Sequence, residues 1–185
     1  ITLITPTSSE KQLRRLSSKL IQLATPVDVT ANKLARYCND SLQVQRLVTL
    51  APIDDYFIQM TKAFNENQKE WGKEVISEQW YYPGDQDITK HFKSLKRIGL
   101  KLTFQDSILL ADSTGQLTQP DIDILYTEYK RQKRIELAET RTKIDSADIP
   151  VNAFDAIFLP VYKEDISLLA SQYAYSNIQA QVLGS

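Results

Sequence analysis

The sequence predicts an all-α fold: an antiparallel bundle or array of about five to seven helices, forming a single helical domain over residues 1–185. Three observations lead there. Only five glycines and seven prolines punctuate the chain, too few for the tight turns of an all-β sandwich. Apolar residues recur four and three apart through long segments, as on the buried stripe of an amphipathic helix. Helix-start chemistry precedes most of these segments.

Thr7-Ser8-Ser9-Glu10 has the Ser/Thr-x-x-Glu form that satisfies free amides at a helix start, and Leu13, Leu16, Leu20 and Leu23 follow at helical spacing. A first helix is expected over residues 9–24. Thr25-Pro26-Val27-Asp28 repeats the signal, with proline where its missing N–H costs nothing. The second helix should reach about residue 50, with an interruption at Asn39-Asp40-Ser41. Pro52 opens a third, in which Ile53, Phe57, Met60, Phe64, Trp71 and Val75 keep a seven-residue repeat with Asn67 in the seam, and Tyr82-Pro83-Gly84-Asp85 ends it.

Asp87 can cap a fourth helix that carries Ile88, Phe92, Leu95, Leu102 and Leu109 on one stripe and stops at Gly115. Within it, residues 100–110 also alternate well enough to read as a strand. Pro120 and Asp121 start a fifth helix, whose half over residues 128–143 is dense in both charges and should face solvent. Prolines 150 and 160 bracket a short helical piece. The last helix is expected from Tyr162 to the C-terminus through Ile166, Leu169, Tyr173, Ser176, Ala180 and Leu183.

Composition narrows the function. Charged residues make up 24% of the chain and the net charge is −1, so no global basic field draws a polyanion and no nucleic-acid partner is expected. The stretch over residues 29–48 looks loosely like a helix-turn-helix, but Asp40 and Gln45 stand where its small core needs apolar residues. Cys38 is the only cysteine, which excludes an intrachain disulfide, a cysteine-based zinc site and an iron–sulfur cluster, and it reads as a small core residue. No apolar run is long enough to span a membrane. The chain starts at Ile1 and carries no signal peptide, so it is expected to be a mature or excised piece. Its compartment stays unassigned.

Neither metal nor cofactor is assigned. An EF-hand frame with Gly115 at its sixth position puts Leu110 at the first, Asp112 at the third, Thr114 at the fifth and Asp121 at the twelfth. Leucine cannot ligate calcium, and aspartate is short for the bidentate last ligand. His91 is the only histidine and belongs to no visible triad, and Asp54-Asp55 and Asp121-Asp123 are explained by helix starts, so no catalytic residue is named and no enzyme is expected.

The most unusual local feature is aromatic: Trp71, Trp80, Tyr81 and Tyr82 crowd the end of the third expected helix beside a Pro-Gly turn. Such rings either plug the end of a bundle or line a site for a ligand or partner, and these four are the candidate binding residues. The function that follows is a non-catalytic helical interaction or assembly domain with another protein as its partner. The alternative is the ligand-sensing helical domain of a membrane receptor, which would take a small molecule.

Overall fold

Arg46-Leu47-Val48-Thr49-Leu50-Ala51-Pro52 is where the all-α expectation fails, because this run forms a β-strand in which every residue after Arg46 is buried. A strand covered on both faces reads as a continuous apolar run, without the alternation that would separate it from a buried helix. The computed structural model describes residues 2–9, 13–111, 118–138 and 149–184. They form a mixed α/β fold with parallel strand pairs in place of an antiparallel helical bundle.

The described chain divides into two compact units. The first holds residues 1–83, 158–161 and 183–185. In it, β1 (Leu3–Thr5) pairs in parallel with β2 (Leu20–Gln22), and α1 (Leu13–Leu16) is a single turn. Among its described residues, the expected helix over residues 9–24 is therefore reduced to this one turn. Leu20 and Ile21 fit a pleated pairing with Leu3 and Ile4 as well as a helical stripe.

Helix α2 (Val27–Asp40) buries Val27, Ala31, Ala35 and Cys38, and it stops near the expected interruption. Gln43 then takes a left-handed conformation (φ 53) and turns the chain into β3 (Arg46–Pro52). No second helix follows α2 here, so the helix-turn-helix resemblance has no structural counterpart. Helix α3 (Asp55–Glu70) buries Phe57, Met60 and Phe64 as expected. The Gln68 amide donates to Ala35 O at 3.2 Å, tying α3 to α2.

Helix α3 ends because of Gly72, whose φ of +70 suits glycine. The Gly72 amide donates to Lys69 O and the Lys73 amide to Gln68 O, both at 3.0 Å, which is a Schellman cap. The chain then reverses into β4 (Glu74–Tyr81), parallel to β3 from Arg46 opposite Glu74 to Pro52 opposite Tyr81, with a bulge between Leu47 and Val48. The expected third helix, reaching the Tyr82-Pro83-Gly84-Asp85 turn, is thus one helix followed by one strand.

Two short strands follow later in the chain, β5 (Ala156–Phe158) and β6 (Gln181–Leu183), and the strand order is β4-β3-β5-β6. Their Phe158 and Leu183 belong to the first unit, where the Leu159 amide donates to Leu183 O at 2.8 Å. Phe158 stacks on Phe64 of α3 with ring centroids 4.3 Å apart.

The second unit holds residues 84–157 and 162–182. Asp87 accepts the Thr89 amide at 2.9 Å at the start of α4 (Thr89–Ala111), which includes the segment that could also read as a strand. Gly99 lies against Val151 and Phe154, so closely that a Cβ there would sit 2.2 Å from Val151 Cγ1. Helix α5 (Gln119–Ala138) begins where Thr118 donates its amide to Asp121 at 3.1 Å, and the Phe104 ring of α4 meets Tyr126 and Tyr129 of α5. The Gly115 stop, the middle of the calcium-loop frame and the end of the 128–143 segment lie outside the described residues.

Two more expectations are corrected in this stretch. The piece between the prolines contains β5, whose residues are all buried, because Ala-Ile-Phe in a covered position is another continuous apolar run. The last helix is only α6 (Ile166–Ser176), entered through a 3₁₀ turn at Lys163–Asp165. Asn177 ends it in a left-handed conformation (φ 55), a role asparagine fills when glycine is absent.

Candidate functional site

A parallel sheet places the ends of its strands and the starts of the following helices on one edge. In open α/β sheets, ligands bind beyond the carboxyl ends of the strands where the chain connections diverge. Here the chain leaving β3 runs through α3 to β4 on one side, and the strand order puts β5 on the other. The divergence therefore lies between β3 and β5.

Three segments of the first unit form this carboxyl edge: residues 52–56 after β3, 81–83 at the end of β4 and 158–161 at the end of β5. The first two are joined directly, since the Ile53 amide donates to Tyr81 O at 2.8 Å. Asp54 caps α3 by accepting the Tyr56 amide at 3.0 Å, and Asp55 opens the helix. Ile53, Tyr56 and Tyr82 remain 39%, 41% and 66% exposed. An accessible apolar side chain, two accessible rings and two carboxylates suit a small molecule with a hydrophobic part and a positive group.

The predicted aromatic residues divide across the strand they flank. Tyr81 is buried, Trp80 is half-buried on the opposite face, and Tyr82 is exposed just beyond the strand. Trp80 Nε1 donates to Glu78 Oε1 at 3.1 Å. Trp71 caps the C-terminus of α3, before β4 begins, so the length of a strand of about 23 Å separates it from Tyr81. The fold brings Trp80, Tyr81 and Tyr82 to the carboxyl edge and leaves Trp71 at the amino edge. Sequence alone does not single out Ile53, Asp54, Asp55 and Tyr56, because Ile53 also fits a helical seam and the two acids a helix start.

A concave surface lies wholly within the second unit, a groove of ≈ 470 Å³ between three helices. Helix α4 presents Phe92, Lys93, Lys96, Arg97 and Leu100, at the spacing of one face. Helix α5 adds Tyr126 and Lys130, and α6 adds Gln172, Tyr175 and Ser176. Lys96 is buried, and its ammonium donates to Ser176 O at 3.0 Å, at the negative end of the α6 dipole. Lys130 Nζ lies 4.5 Å from the Tyr126 ring centroid, a cation–π contact. The Lys-x-x-Lys-x-x-Lys-Arg run from Lys90 to Arg97 is the signal that could have located this surface from sequence.

Among the described residues, no group of His, Cys, Asp and Glu is arranged to hold a metal. Cys38 is fully buried in α2, and burial pushes its thiol up to about 11. His91 is half-buried on α4, where burial holds its imidazole below the usual range. No described helix is long and apolar enough to cross a membrane.

No protein-family model and no curated protein matches the sequence. Solved structures do match it. The fold is similar to that of solved substrate-binding proteins. The leucine binding protein LivK of Thermotoga maritima superposes with a TM-score of 0.62 at 14% identity, over 100% of this chain and 37% of its own. The branched-chain amino acid transporter substrate binding protein LivJ of Streptococcus pneumoniae, solved with isoleucine, gives 0.57 at 15% identity, over 100% and 37%. A substrate-binding protein of Sphaerobacter thermophilus gives 0.58 at 13% identity, over 97% and 37%. The chain thus spans little more than a third of the length of these proteins.

This overturns the reading of the chain as a helical interaction or assembly domain, and the helical receptor-domain alternative with it. Both assumed a helical bundle, and its expected seams are partly parallel strands of a fold found in substrate-binding proteins. The expected protein partner loses its support with them.

Proposed function

We propose that this chain is part of a binding protein for a small molecule of the amino-acid class, held at the carboxyl edge of its parallel sheet. The observation that carries the reading is the accessible set Ile53, Asp55 and Tyr56 after β3, where the chain connections diverge, with Tyr82 at the end of the neighbouring β4. The fold adds direction, since proteins that share it bind leucine or isoleucine. In this reading Ile53 and the rings of Tyr56 and Tyr82 cover the hydrophobic part of the ligand, and the Asp55 carboxylate pairs with its ammonium group. Binding proteins of this kind close by hinge motion around their ligand.

Titration calorimetry with leucine, isoleucine and the corresponding amine-free acids tests it. The amino acids should bind, with dissociation constants on the order of 1 mM or tighter. The amine-free acids should bind more weakly, and Asp55→Asn should remove the difference. Equal binding of both sets, or no heat from either, would overturn the reading.

A further inference from the structure

We propose that the groove between α4, α5 and α6 is a second, separate binding site that takes a phosphate monoester carried on an apolar body. It does not depend on the edge of the first unit. Among the described residues its lining holds four cations, Lys93, Lys96, Arg97 and Lys130, and no carboxylate, in a chain whose net charge is −1. Charge of one sign is thus gathered into one concavity, where low-dielectric walls strengthen its pull on an anion. Asp87, at the start of α4, is an acid whose charge reaches Lys93, and it lies outside the lining.

Two features separate this groove from a solvated helix face. Its cations stand on organised supports: Lys96 is buried against the end of α6, and Lys130 lies over the Tyr126 ring. Gln172 accepts the Ile88 amide and donates to Gln86 O, both at 3.0 Å, pinning α6 to the start of α4. Second, Phe92, Leu100, Tyr126 and Tyr175 supply apolar walls beside the charges. An inorganic ion would leave those walls unused, whereas the volume falls in the range of ordinary small-ligand pockets. Arg97 offers the planar fork that matches two phosphate oxygens, and the lysines serve as point charges around it.

Such a monoester could be soluble or the headgroup of a lipid, and the test separates the two sources. Phenyl phosphate, inorganic phosphate and phosphatidic acid vesicles are each titrated against the protein at low and at 0.3 M salt. Phenyl phosphate should bind at least tenfold more tightly than inorganic phosphate, weaken with salt, and lose about tenfold in each of Lys93→Gln and Arg97→Gln. Both residues are exposed, so these variants should keep the wild-type melting temperature. Lys101→Gln, which removes the same charge from α4 outside the groove, should bind like wild type. Vesicle binding with the same Lys93 and Arg97 dependence, and no response to phenyl phosphate, would assign the site to a lipid headgroup. No binding by either source, equal binding of inorganic and phenyl phosphate, or an equal loss in Lys101→Gln would overturn the proposal.

Discussion

The Asn65 amide of α3 donates to Glu78 Oε2 of β4 at 2.8 Å, while Trp80 donates to the other oxygen of the same carboxylate at 3.1 Å. One glutamate thus fixes a buried helix residue and a tryptophan near the carboxyl edge. Glu78→Ala should cost about 1–3 kcal/mol, because it leaves the buried Asn65 amide only the long contact to Thr49 Oγ1 at 3.5 Å, and Glu78→Gln, which keeps an acceptor, should cost less. Urea denaturation measures both. In a Trp71→Phe background, Glu78→Ala should also shift the Trp80 emission to the red.

Gly99 makes a second, opposite kind of test. Alanine is the better helix former by about 1 kcal/mol, so Gly99→Ala would stabilise an open helix. A Cβ here meets Val151 Cγ1 at 2.2 Å and the Phe154 ring at 3.1 Å. Overpacking of about 1–3 kcal/mol should prevail, and the melting temperature should fall. A rise would show that α4 does not approach Val151 this closely.

Tyr81 and Tyr82 should behave differently although they are neighbours. Tyr81 is 2% exposed and Tyr82 is 66% exposed. Tyr81→Ala should cost about 3–5 kcal/mol, as expected for loss of a buried aromatic side chain. Tyr82→Ala should change stability by no more than about 0.5 kcal/mol while weakening ligand binding at the carboxyl edge. Denaturation and calorimetry on the two single variants separate the roles.

The helices were legible where their signals were local. Asp87 before α4, Phe57, Met60 and Phe64 along α3, and the break near Asp40 all stand where sequence chemistry puts them. The strands were not, because a buried parallel strand carries no alternation: Leu47 to Pro52 and Ala156 to Phe158 are continuous buried runs, compatible with either period. Gly72 was the overlooked local signal, since a glycine after a charged helix end and before Glu74-Val75-Ile76 marks a cap and a strand. The carboxyl edge was half legible. Tyr81 and Tyr82 stood out by composition, but Ile53 and Tyr56 join them only through the β3–β4 pairing.

Cys38 should leave a signature in alkaline stability. Its thiol is raised in the fold from 9.0 to about 11 by burial, so the native state disfavours the thiolate that the unfolded chain forms freely. The contribution is fully present below pH 9 and is lost as the pH rises from 9 to about 11. Over that window wild type should lose up to about 3 kcal/mol more than Cys38→Ala, read as the difference between their urea midpoints at pH 8 and pH 11. Parallel losses would place Cys38 in contact with solvent.

Amide-resolved NMR titration with leucine shows whether a small molecule is held at the carboxyl edge of the parallel sheet. Saturable shifts should concentrate at Ile53 to Tyr56, at Tyr81 and Tyr82, and at Leu159 and Val161, with Lys93 and Arg97 of the basic groove unmoved. Shifts absent from these three segments, or centred on the amino edge around Trp71 to Glu74, would contradict it.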